Sequence, residues 1–275
     1  MLIIIFYRIA LWNRMVAALP YLRVDAADQQ QHAAVLKQCV NTVVQEYIQT
    51  MLDSVDAVVK EEEEDPLEDA GSLKEAMDRL PILARLQYRD VAAFLQNMFD
   101  TALGMFEQIT NTPPQQLESQ WEQVQIVQGK LTWLVQITAA IINLSQSGQE
   151  SQKSQNELLY DGSLCRSVFK LVELLNHWLK CEGRADVKLE QAVLLFFTNF
   201  KKQYLNEGVL VSSGRRKSAA ITTVPGGSPV HPMLSYALSG SGNKSSEDMD
   251  SKTENTTIFE AIRSDLDANA YVASL

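Results

Sequence analysis

The sequence predicts an all-α protein built from long helices packed side by side. Apolar residues recur at spacings of three and four as far as Tyr204, the period of one face of an α-helix. No stretch of strand length alternates apolar and polar residues with period two. The periodic segments run roughly 18 to 30 residues, against a globular mean of about 11 to 12, and short polar loops join them. Such helices suit either a closed bundle or an open solenoid of stacked antiparallel pairs, and spacing alone leaves both open. With 46% hydrophobic residues in a chain of 275, there is material for a sizeable core.

The first helix is expected over Leu2 to Leu22, ended near Pro20-Tyr21. Met1 to Tyr7 is apolar like a secretory core segment, but no basic residues precede it. Arg8, Asn13 and Arg14 interrupt it well short of a membrane span. It reads instead as a buried helix, as though the chain began inside a longer one. A second helix spans Gln29 to Lys60, with Val35, Cys39, Val43, Tyr47, Met51 and Val55 every four residues. Pro66 bars any helix from the residue before it. Ser72 to Glu75 spells S-x-x-E, a capping box, so a helix is expected to start at Ser72 and run to about Ile109, with Pro81 as a break or a new first turn. Its stripe is Leu83, Leu86, Val91, Phe94, Leu95, Met98, Leu103 and Phe106.

Asn111 to Pro114 is a break. Ser119 to Leu144 follows, with Val124, Val127, Leu131, Leu134, Thr138, Ile141 and Leu144 inward. After the polar loop Ser145 to Gln155, Leu158 to Leu179 turns Leu164, Val168, Leu171, Leu175 and Trp178 to one side, and Gly183 ends it. Val187 to Tyr204 is the next helix, with Val193, Leu194, Phe197 and Phe200 inward and Lys201 and Lys202 in its last turn, where cations suit the helix dipole. The apolar run Leu194 to Phe197 suggests a helix sandwiched between neighbours.

Composition then changes. Six of the twelve glycines lie from Gly208 to Gly242, with Pro225, Pro229, Pro232 and many serines. Such a segment buries too little apolar surface to offset its ordering entropy. Residues 1–211 therefore form the helical unit and 212–256 a disordered linker or insertion. Residues 257–275 make a terminal amphipathic helix, with Ile258, Ile262, Leu266 and Tyr271 on one face.

Charge narrows the function. The chain carries 24 basic and 34 acidic residues, a net of −10. From Asp53 to Asp78 eleven acids face only Lys60 and Lys74, so almost the whole net charge sits in one local field. Phosphate contacts need clustered Lys and Arg, so nucleic acid is not the expected partner. The loop residues Glu61, Glu62, Glu63, Glu64, Asp65, Glu68 and Asp69 are the candidate site, an electrostatic docking surface for a basic protein or a plainly solvated loop. They lack the spacing and central glycine of a calcium-binding EF-hand.

Signatures of chemistry are missing. Cys39, Cys165 and Cys181 are odd in number and widely spaced, which signals neither a disulfide framework nor a zinc site. His32, His177 and His231 form no H-x-x-x-H pair, and His177 beside Trp178 reads as an edge residue. The Gly226-Gly227 pair has no strand before it and no helix after it, so it is no phosphate loop. No G-x-S-x-G occurs. No catalysis, no cofactor and no membrane insertion are expected. Arg215-Arg216-Lys217-Ser218 has the form of a target for a basophilic kinase, where phosphate would change the local charge.

Four words in the sequence resemble one family. Leu11-Trp12-Asn13-Arg14-Met15-Val16-Ala17 with Pro20-Tyr21 resembles L-W-x-R-x-V/A-A…P-Y of the exportin-7 (Ran-binding protein 16) family. Glu64-Asp65-Pro66-Leu67-Glu68-Asp69 is similar to its E-D-P-L-E-D loop, and Gly129-Lys130-Leu131-Thr132-Trp133-Leu134-Val135 to its G-R-L-T-W-L-V helix. Leu189 to Phe197, with Phe200-Lys201-Lys202 and Tyr204, resembles L-E-x-A-x-L-x-F-F…F-R-K-x-Y. Order and spacing agree across residues 11 to 206.

The resemblance implies a karyopherin-β superhelix, a HEAT-like (armadillo-type) α-solenoid of antiparallel helix pairs, of which this is a middle portion. It implies a nuclear transport receptor of the exportin kind, moving between nucleus and cytoplasm through nuclear pores. The implied partners are cargo proteins, the GTPase Ran in its GTP form and nucleoporins. No motif here assigns a Ran or cargo contact. The other reading is a helical-repeat scaffold or adaptor without transport activity. A segment cut from a solenoid would expose core at both ends, so marginal solubility is expected.

Overall fold

A computed structural model describes residues 2–18, 26–143, 155–182 and 186–205. Among them eight α-helices follow one another: α1 (Leu2–Ala18), α2 (Ala26–Val59), α3 (Ala70–Ala84), α4 (Tyr88–Thr110), the single turn α5 (Pro114–Leu117), α6 (Trp121–Ile142), α7 (Gln155–Glu182) and α8 (Val187–Phe200). Short 3-10 turns, Arg85–Gln87 and Glu118–Gln120, lead into α4 and α6, and a π-turn, Lys201–Leu205, prolongs α8. No strand occurs among the described residues.

The helices stack in two layers. In one, α1 packs on α3, α3 on α6 and α6 on α8; in the other, α2 meets α4 and α4 meets α7. Both α2 and α4 also pack across onto α6. This is an all-α helical solenoid: the long amphipathic segments predict the helices, and the family resemblance the open stack. Neighbours in the stack bury one another's stripes into a single apolar core running from Ile9 to Tyr204.

α6 sits at the centre. Fifteen of its 22 residues are buried, among them Val124, Leu131, Trp133, Leu134, Ile137 and Ile141. A helix apolar on all sides has to be surrounded, and α2, α3, α4, α7 and α8 surround it. Truncating a fully buried aromatic such as Trp133 costs about 3–5 kcal/mol in comparable cores. At Gly129 α6 comes so close to α2 that an added Cβ would lie 2.6 Å from Val55 Cγ1.

Polar ties fix the register of neighbouring helices. Between α4 and α7, Gln96 donates to Ser167 Oγ at 2.8 Å and accepts from Ser163 Oγ at 2.9 Å. Between α6 and α8, Asn199 Nδ2 donates to the Ala139 carbonyl at 2.9 Å. Deepest is Asp161 of α7, fully buried. Its carboxyl accepts from the hydroxyl of Tyr88, at the start of α4, and from that of Tyr204, in the π-turn, the latter at 2.6 Å. Burial, then the Asp161 charge, pushes both phenols well above the usual tyrosine range.

The structure corrects several expectations. The helix after the acidic loop is not capped by Ser72. Asp69 is the N-cap, its carboxylate accepting the Ser72 N–H, and Glu75 pairs one turn on with Arg79. Pro81 does not break the chain. It is buried within α3, and the break falls at Arg85–Gln87. Val35 and Cys39 are exposed, because the stripe of α2 turns inward only from Val40. Leu194 points outward, its place inside taken by Phe196, and the helix enclosed by neighbours is α6 rather than α8. The expected features at Pro20-Tyr21, Leu144, Gly183, Arg215–Ser218 and in segments 212–256 and 257–275 lie outside the described residues.

Candidate functional site

The acidic loop joins α2 to α3, and its shape follows from local chemistry. α2 ends in a Schellman motif: the Glu62 N–H reaches the Ala57 carbonyl and the Glu61 N–H that of Val58. This requires a left-handed residue, and Glu61 takes it with φ 58°, at a position where glycine is usual. Asp65 then makes an Asx turn, its Oδ1 accepting the Leu67 N–H at 2.9 Å, while Pro66 is buried beneath. Asp69 closes the loop as the cap of α3. Hydrogen bonding to Ser72 holds its carboxyl below the usual carboxylate range.

The seven candidate acids therefore divide. Glu61, Glu62, Glu63 and Glu64 are exposed and form an acidic apron. Asp65 and Glu68 are held from across the fold by Lys188, in the first turn of α8. Its Nζ lies 2.5 Å from Asp65 Oδ2 and 2.9 Å from Glu68 Oε1. Burial alone would lower the Lys188 pKa, but hydrogen bonds to these two carboxylates, with their charge, raise it above the usual lysine value. The α8 N-cap, Asp186, holds the same end through the Lys188 and Leu189 N–H groups. Nothing in sequence marks Lys188, which meets the loop from more than 100 residues away.

Under the loop lies an open hollow of about 290 Å³, floored by Val55, Val58, Leu67 and Gly129 and rimmed by Glu61, Asp65, Asp186 and Lys188. Lys130 pairs with Asp56 at 2.8 Å beside it. Carboxylates thus line a shallow, partly apolar depression, an arrangement suited to contact with a cationic surface. Among the described residues no group of His, Cys, Asp and Glu side chains is placed to hold a metal ion. No described helix is long and apolar enough to cross a membrane.

The sequence model of one family, described as the exportin-7-like TPR domain, matches residues 54–220, from the end of α2 through the acidic loop and every later described helix. The chain belongs to the exportin-7-like family. Exportin-7-B of Xenopus laevis is 31% identical over 211 residues, covering 75% of this chain and 18% of its own. Ran-binding protein 17 of Homo sapiens is 27% identical over 203 residues, covering 73% of this chain and 17% of its own. Ran-binding protein 16 of Drosophila melanogaster is also 27% identical over 203 residues. The chain thus spans less than a fifth of the length of these frog and human relatives. No solved structure matches it. A tetratricopeptide unit is a helix pair of about 34 residues, and here α2 alone has 34. That helix is thus longer than a helix of such a unit, whereas α3 and α8, with 15 and 14 residues, are not.

Proposed function

We propose that this exportin-7-like chain acts as part of the superhelix of a nuclear transport receptor. In this reading the superhelix binds cargo proteins and Ran in its GTP form, and carries cargo between nucleus and cytoplasm by way of nucleoporins at the pore. It works by holding other proteins and not by catalysis. The observation that carries this reading is the family match along the acidic loop and the stack that follows it. The fold supports it physically: stacked helices offer broad surfaces to macromolecules. The apron Glu61–Glu64, with Asp65, Glu68 and Asp69 behind it, is the docking surface we assign to a basic protein.

The test is an export assay in which this chain replaces the segment it matches in frog exportin-7-B. The chimera is expected to move cargo out of the nucleus, with capture dependent on Ran loaded with GTP rather than GDP. A folded chimera that holds protein partners equally with either nucleotide, and exports nothing, would make the scaffold reading the right one. For the apron, Glu61→Lys/Glu62→Lys/Glu63→Lys/Glu64→Lys is expected to slow association with basic partners and to flatten its salt dependence. Unchanged kinetics would remove the loop from the binding surface.

A further inference from the structure

Lys188 sits where a partner's cation would. Its ammonium bridges Asp65 and Glu68 from the first turn of α8, with the apolar floor of the hollow alongside. The loop thus already holds one ammonium, and it is the chain's own. The two carboxylates are unlike: the Asp65 side chain is 13% exposed and that of Glu68 73%. A carboxylate so nearly enclosed needs a cation beside it, because an unpaired buried charge is costly. Lys188 supplies that cation from a side chain 45% exposed, on a flexible four-carbon stem that can swing into solvent. The start of α8 does not depend on the ammonium. Asp186 caps it through the backbone N–H groups of Lys188 and Leu189, which stay in place when the side chain leaves.

We propose that Lys188 is a built-in competitor, which occupies the Asp65–Glu68 pair in the free protein and yields it when a basic segment of a partner docks on the loop. The inference rests on the docking role assigned to the apron Glu61–Glu64. A tethered lysine is always present at high local concentration, so a lone cation in solution does not displace it. A segment with several cations does, because the exposed apron gathers it first and delivers its charges to the pair. Partly exposed ion pairs are individually weak, so the internal one is within reach of such a rival. The exchange keeps Asp65 paired throughout: one cation arrives as the other leaves. It also unties the loop from α8, so docking on the loop is felt more than 100 residues along the chain. Lys188 therefore sets a threshold, and weakly basic surfaces are turned away. A plain structural staple at this position would behave in the opposite sense, since its removal would loosen the loop and weaken docking.

The test titrates a fluorescent, N-acetylated octa-arginine peptide with the full 275-residue chain at low ionic strength and follows anisotropy. Lys188→Met keeps the stem and removes the charge, and it is expected to tighten binding about fivefold, the worth of one ion pair. Lys74→Met, the same charge change at an exposed position early in α3, is expected to change it less than about twofold. In the Asp65→Asn/Glu68→Gln background the gain from Lys188→Met should vanish, which a general charge effect would not produce. The wild-type chain gives a second readout that needs no variant. Acetylation of the Lys188 amine by an N-hydroxysuccinimide ester should quicken when octa-arginine is added, relative to Lys170, which pairs with Glu107 elsewhere. Equal or weaker binding by Lys188→Met, a gain that survives in the Asn/Gln background, or an amine that reacts no faster with the peptide bound would each overturn the competitor and leave the docking surface standing. Binding indifferent to charge reversal of Glu61–Glu64, or no binding at all, would remove the docking surface and the competitor together.

Discussion

Glu61 shows how one residue carries strain for its neighbours. Its left-handed backbone lets α2 end in two hydrogen bonds, yet for a non-glycine residue that conformation costs roughly 1–2 kcal/mol. A negative charge at a helix C-terminus adds to the cost. Glu61→Gly is therefore expected to stabilise the protein by about 0.5–1 kcal/mol, part of the gain being offset by chain entropy, as a higher urea midpoint at unchanged slope. Asp161 is the opposite case. Asp161→Leu leaves the hydroxyls of Tyr88 and Tyr204 buried without this acceptor, at a cost of roughly 2–4 kcal/mol. Adding Tyr88→Phe and Tyr204→Phe should recover most of the loss, which equilibrium unfolding of the single and triple variants would reveal. The same pair contributes to the alkaline limit, alongside Tyr47, whose phenol burial also raises. Both phenols are raised above the unfolded value of 10.0, so their contribution is complete below about pH 10 and is lost as pH climbs toward the folded values. Urea midpoints should fall above pH 10 in the wild type and less so in Tyr88→Phe/Tyr204→Phe. None of this was legible in sequence. Tyr88 and Asp161 are 73 residues apart, and only the stacking of α4 on α7 brings them together. Asp69 was legible as an acid of the loop but not as a cap, because Ser72 three residues on offers a similar spelling.

At the level of the helix, periodicity told nearly everything about existence and little about which face wins. The stripes of α4, α6 and α7 fall where spacing puts them, since each has neighbours on a predictable side. The stripe of α8 does not, because Leu194, Leu195, Phe196 and Phe197 are apolar all round and only packing chooses among them. Phe169 of α7 meets the rings of Phe196, Phe197 and Phe200 at 6.1, 6.1 and 5.5 Å, and Phe196 and Phe200 are the two that are buried. Gly129 decides a helix spacing. Gly129→Ala should gain up to about 1 kcal/mol of helix propensity. It then meets Val55, whose branched side chain has one favoured rotamer in a helix and cannot swing away. The expected net effect is destabilisation of roughly 1–2 kcal/mol. Val55→Ala in the same chain should relieve it, and a double-mutant cycle with a clear coupling energy is the readout.

For the molecule as a whole, the class was readable from long helices without strands. The choice of open stack over closed bundle was not, because hydrophobic period reports a face and never the identity of the helix that covers it. The four family-like words supplied that choice, and two of them, the loop at Asp65 and the start of α8, turn out to be joined by Lys188. The centre of the stack has a consequence for its motions. α6 contacts helices of both layers, so opening it requires disrupting most of the others first. Its backbone amides should be the slowest in the chain to take up deuterium, with exchange quickening outward through α3 and α4 to α1. Proteolytic nicking should follow the same gradient, and a fragment retaining α6 should be the last to disappear.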